Sequence, residues 1–443
     1  MFGKNQNHQT LIRFRLTLFA KEVVMICPVS GNSIQRTLFF GLLGQLFLVG
    51  MACPLLAGPP MVEPYLLQGN YSGGEKALLD HLKQFPKDAE ARFGLGALQF
   101  IHSVEGLGQD MYRFGLNPDL GASFGFPFFR MPVPVNPKPE EIDYEKFRSL
   151  FSRFMEGLTK AEKTLALVRD PKIKLPLKMG LVKMDLNNDG KADEYLKTIL
   201  ARYLTGRAAN IPLGEMAVSF DQGDAIWLQG YCNLLLAMGS VILAHDHRET
   251  FEVSASLFFP KVKTPFGFLN NIPRRMDNQL FDERIFDLVA FVHMWRFPLK
   301  DQKLMVAALG HLEKVIALSR ESWASILEET DNDMEWVPNP KQTGVMGISV
   351  PRPMIDGWLE FLDEAQSLLE GKKLIPFWRA GDNRGVNLRR VFTHSRDFDA
   401  ILWVQGTAAN PYLENGEFTK QATWGRLQRI FGGEFFGFAA WFN

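Results

Sequence analysis

The run Asp185-Leu186-Asn187-Asn188-Asp189-Gly190-Lys191-Ala192-Asp193-Glu194 sets oxygen-bearing side chains at alternate positions. Oxygens of Asp185, Asn187 and Asp189, at loop positions 1, 3 and 5, can converge on one hard cation. Gly190 at position 6 permits a sharp turn, and the main-chain carbonyl of Lys191 can point inward. Asp193 at position 9 adds a carboxylate, with Glu194 beside it. Six or more oxygens at roughly 2.3–2.6 Å suit Ca²⁺ better than the smaller, octahedral Mg²⁺. The expected cofactor is a structural Ca²⁺ ion. Without metal, the same residues make an Asx-rich turn that caps a helix over Tyr195–Tyr203.

This spacing resembles the calcium loops of dockerins, integrin-type repeats and EF-hands, and the nine-residue integrin-like form DxNxDGxxD is matched in full. The resemblance implies calcium ligation by Asp185, Asn187, Asp189, Lys191, Asp193 and Glu194. It departs from the EF-hand at position 12, where Leu196 replaces the bidentate Glu and Glu194 stands two residues early. A remote carboxylate must complete the shell, with Asp221 and Asp224 as candidates.

Other chemistry is less specific. Asp221 and Asp224 open an apolar run and lie three apart, on one face of a helix whose N-terminus attracts acids. As a hydrolytic pair they would need one carboxyl held protonated in an apolar pocket. His245 and His247 flank Asp246, but residues two apart on a helix diverge by about 200°, so helix-end capping is expected rather than a shared metal. Cys232 falls mid-run and is expected to be an inert buried thiol. Trp378, Trp403, Trp424 and Trp441, with Arg379, Arg384, Arg389 and Arg390, suggest an aromatic cluster closing the core or a sugar- or peptide-binding surface. Catalytic elbows, zinc-protease, phosphate-loop and dinucleotide motifs do not occur.

The elements that must position these residues are helical. Spacings of three and four predict helices over Tyr144–Val168, Phe281–Phe297, Leu304–Ile326 and Met354–Leu369, the last closed by Gly371. The run Ala225–Ala244 is interrupted by Gln229, Asn233 and Ser240, so it reads as a central core helix rather than a membrane span. Strand candidates are short: Gly180–Met184, Glu252–Phe259 and Val386–Phe392. Long irregular connections are expected over Gly106–Pro139 and Glu328–Pro353. The fold class is mainly α, with helical hairpins packed around a Phe-rich core and few short strands. Around Pro86-Lys87-Asp88-Ala89-Glu90-Ala91-Arg92-Phe93-Gly94-Leu95-Gly96 the chain resembles the junction between tetratricopeptide repeats, over residues 74–115. The pattern fails one period later, at Gly115 and Leu120, so the resemblance implies a packed hairpin over 58–115 more than a repeat array.

Arg36 followed by the apolar Leu38–Ala52, then Pro54 and Ala57, has the order of a secretory signal over 1–57, with Met25 as an alternative start. Its removal would take Cys27 and Cys53 and leave Cys232 alone, so residues 116–443 would form a main domain held by its core rather than by disulfides. Formal net charge is +0, which argues against a nucleic-acid partner. The chain as a whole resembles an exported bacterial family without an assigned activity. The expectation is a periplasmic or extracellular binding or scaffold protein for a protein or glycan ligand, with no membrane span in the mature chain. The alternative is an α-helical toroid-type carbohydrate-active hydrolase or lyase.

Overall fold

Local chemistry starts and stops the helices that the periodicity marks. Six helices of 14 or more residues carry the described chain: α1 (Tyr71–Gln84), α2 (Ala89–Arg113), α3 (Tyr144–Leu165), α4 (Gln222–Ala244), α5 (Gln302–Glu328) and α6 (Arg352–Leu369). Side-chain oxygens of Asn70, Asp88, Asp143, Asp221 and Asp301 accept first-turn N–H groups of the first five. After α6, Gly371 takes φ +72°, which ends the helix without steric cost. The computed structural model describes residues 58–117, 131–203, 214, 216–271, 283–379, 383–431 and 435–442. The expected signal segment with Met25, Cys27 and Cys53, and the stretch 118–130, lie outside the described residues.

The fold is mainly α, and the main packings follow chain order: α1 on α2, α2 on α3, α3 on α4, α4 on α5 and α5 on α6. The α1–α2 pair is a hairpin around Pro86, and Gly58–Asn443 forms one unit. One core runs through α1–α4, with Leu78, Leu98, Leu158 and Cys232 sealed from solvent. A second joins α5 and α6 to the C-terminal helix Phe435–Phe442 through Trp323, Trp358 and Phe442. α4 is long and apolar enough to cross a membrane by length and composition, but it lies between α3 and α5, and over half of its most apolar window is buried.

Strands are few and short. The longest sheet orders Glu417–Phe418, Lys373–Pro376, Arg384–Val386 and Leu413–Asn415 side by side. Four expectations change. Of Gly180–Met184 only Lys183–Met184 is in a strand, because Met179–Leu181 form a 3-10 turn. Glu252–Leu257 is helical rather than extended and Phe258 turns, because the segment has no partner strand among the described residues and instead brings Phe251, Phe258 and Phe259 into the core. Only Val386 of Val386–Phe392 is in a strand, since Asn387 caps a helix over Leu388–Thr393. Helix α2 continues through Gly106 to Arg113, so the irregular connection begins later. The helix Glu283–His293 buries Phe291 but leaves Ile285, Leu288, Val289 and Val292 exposed. The four C-terminal tryptophans do not form one cluster: Trp441 is buried, Trp403 stacks on Tyr412, Trp424 bonds Thr419 and Trp378 is exposed.

Candidate functional site

Residues 185–193 are the loop of a hairpin whose arms are the antiparallel pair Lys183–Met184 and Glu194–Tyr195. Asp185 Oδ1 and Asn187 Oδ1 both accept the Asp189 N–H, at 3.2 and 3.1 Å, which sets the two oxygens side by side. Asp185 Oδ2 accepts the Gly190 N–H at 2.9 Å, and Asp189 Oδ1 accepts the Lys191 N–H at 2.8 Å. The Asn187 amide donates to Asp189 Oδ2. Asn188 at φ +54° and Gly190 at φ +85° make the turn that brings these groups together. Positions 1, 3 and 5 are therefore gathered by main-chain N–H donors, as an Asx-rich turn requires and a cation loop can use. Asp193 is exposed, Glu194 sits in the strand pair, and neither bonds the other three among the described residues.

Helix α2 holds this loop from below. Glu105 Oε1 accepts the Asp185 N–H at 2.7 Å, and Gln109 donates to the Asp185 carbonyl at 2.8 Å. Leu186 packs so tightly on Gly108 that a Cβ there would come within 2.6 Å of it. Burial pushes the Glu105 carboxyl up to about 7, with the Asp185 charge adding to the rise. Leu196, at the position of the missing bidentate Glu, is buried and starts the helix Leu196–Tyr203, so it serves the core.

The remote acids go elsewhere. Asp221 caps α4, and Asp224 returns the bond to the Asp221 N–H, so the two form a capping box. The long connection after α5 brings Glu329 and Glu335 to the same point, and ligand oxygens of Asp221, Glu329 and Glu335 all lie within 4.8 Å of one another. Among the described residues this is the group of three or more such side chains close enough to hold one ion. Lys174 Nζ stands 2.8 Å from Asp331 and 3.7 Å from Asp221. One ammonium thus faces a surplus of buried carboxylates. Burial, then the Asp221 charge, pushes Glu329 up to about 9. Burial also raises Asp224 and Glu335, again with Asp221 adding to the effect. Such a cluster must take up protons or a cation.

The remaining candidates have structural partners. His245 Nδ1 pairs with the Val241 carbonyl and His247 Nε2 with that of Ile242, so the two rings close the end of α4. Cys232 is fully buried and its thiol is pushed up by burial. Sequence reasoning missed Glu105, Glu329 and Glu335. Glu105 alone carried a local signal, since it shares one helix face with Leu98, Ile101 and Gly108. Compared with known proteins, the chain matches no family model, no curated protein and no solved structure.

Proposed function

We propose that this chain is an exported, non-catalytic binding or scaffold protein in which the Asp185–Glu194 loop holds a structural Ca²⁺ ion. The observation that carries the calcium reading is the convergence of Asp185 and Asn187 oxygens on the Asp189 N–H, with Asp189 bonded to Asn187 in turn. Export rests on the apolar run Leu38–Ala52 after Arg36, and it brings the loop to a compartment rich in Ca²⁺. Two features support a scaffold over a toroid-type hydrolase. The dominant helix packings run from α1 to α6 with no main packing of α6 back on α1 among the described residues, so they do not close a ring. In the densest carboxylate group, Asp221 and Glu335 are only 6% and 1% exposed, and Glu329 alone is half-buried, which leaves no exposed pair to flank a substrate bond.

Calorimetric titration tests the calcium site. The purified protein should bind one Ca²⁺ with a Kd of about 10⁻⁴–10⁻³ M, as extracellular loops of this type do. Asp189→Ala should remove the heat, while Glu329→Gln should leave it intact. An absence of heat in the wild type, or equal heat in Asp189→Ala, would sink the reading.

A further inference from the structure

Helix α2 contains four glycines between residues 94 and 108, and three have a packing reason. A Cβ at Gly94, Gly96 or Gly108 would meet Val62, Leu165 or Leu186 at 2.6–2.9 Å. Gly106 differs, because a Cβ there meets nothing within 4 Å. A glycine inside a helix costs stability relative to alanine, and at Gly106 no close packing compensates for it. Gly310 inside α5 is equally open, so what sets Gly106 apart is its place beside two cavities.

The space beside Gly106 is where two cavities meet. One of about 590 Å³ extends to Asn187 and Asn188 of the hairpin loop. The other, of about 240 Å³, extends to Glu75 and His102. They share Gly106, Asp110 and Arg153, so together they form an elongated groove along α2, faced by α3 at one end and by residues 136–140 and the hairpin loop at the other. We propose that this groove binds a linear oligosaccharide. The proposal rests on the binding-protein reading above and supplies its ligand class.

The lining decides the class. Among the described residues, the larger cavity presents amide and charged side chains apart from Gly106 and Tyr112. Its charges are presented as pairs, Arg153 with Asp110 and Arg113 with Glu140, each at 2.6 Å, and Lys160 pairs with Glu75 in the smaller cavity. Such pairs and the neighbouring amides offer fixed donors and acceptors together, which hydroxyl groups, being both, can satisfy. An apolar ligand gains little from the larger cavity, while Leu107, Leu150 and Phe154 of the smaller one offer a face for the apolar side of a sugar ring. A peptide strand finds no β-strand to extend among the described lining residues. Lys138 is the groove cation without a carboxylate partner among the described residues. It favours a sugar that carries carboxylates.

Calorimetry with trigalacturonate, maltotriose and a mixed-charge hexapeptide tests this, in calcium and in chelator. Saturable trigalacturonate binding is expected, several-fold tighter than maltotriose, with no peptide binding. Gly106→Phe should fill the groove and weaken the sugar about tenfold or more, with a melting midpoint equal to or above that of the wild type. Lys138→Ala, an exposed change, should abolish the preference for the acidic sugar. The proposal is overturned if neither sugar binds, if a folded Gly106→Phe protein binds trigalacturonate as before, if Lys138→Ala leaves the preference unchanged, or if the peptide alone binds. Sugar binding without any calcium heat would keep the groove and remove the calcium loop; calcium heat without sugar binding would do the reverse.

Discussion

Glu329 and Glu105 are carboxylates that folding holds partly in their neutral form. Their values rise from 4.5 to about 9 and about 7. Between 4.5 and those values the folded state therefore binds more protons than the unfolded chain, and stability falls as pH rises. Without divalent cations, the urea midpoint should drop steadily from pH 5 to pH 9, and Glu329→Gln should flatten the upper part of that slope. A midpoint that rises across this range, or an unchanged slope in Glu329→Gln, would show the cluster to be assigned wrongly. At this scale the sequence was half legible. Asp185, Asn187, Asp189 and Gly190 announce a turn because they are neighbours, and Asp221 and Asp224 announce a helix start for the same reason. Nothing local ties Asp221 to Glu329 and Glu335, which arrive from over a hundred residues away.

Among the elements, α3 is the one that couples the first hairpin to α4. Its Leu158 is fully buried. Leu158→Ala should cost about 2–5 kcal/mol, from lost burial plus the cavity left behind. Asp88, whose carboxylate caps α2 and pairs with His81, is exposed enough that Asp88→Ala should cost only about 1 kcal/mol. Equal losses in chemical denaturation would contradict this account of what holds the helices. Long periodic runs made these helices legible, because a stripe of apolar residues at spacings of three and four has few other ways to be buried. Glu252–Phe259 misled for the opposite reason. The six alternating residues Glu252–Leu257 specify a strand only when a neighbouring strand exists to pair with.

The whole molecule is a helical succession, α1 to α6, with the hairpin loop of the proposed calcium site seated on α2 and the proposed sugar groove running along the same helix. The helical class was legible from apolar spacing and the scarcity of alternating runs, whereas the order of packing and the groove were not. Both depend on distant side chains, such as Gly106 facing open space and Leu186 seated on Gly108. The staple is the central claim, and a thermal melt with 10 mM Ca²⁺ against excess chelator addresses it most directly. Binding at the expected affinity should raise the wild-type midpoint by about 2–3 °C, and Asp189→Ala should lose that shift. Identical midpoints in calcium and chelator for the wild type, or the same shift in Asp189→Ala, would contradict a calcium-stapled loop.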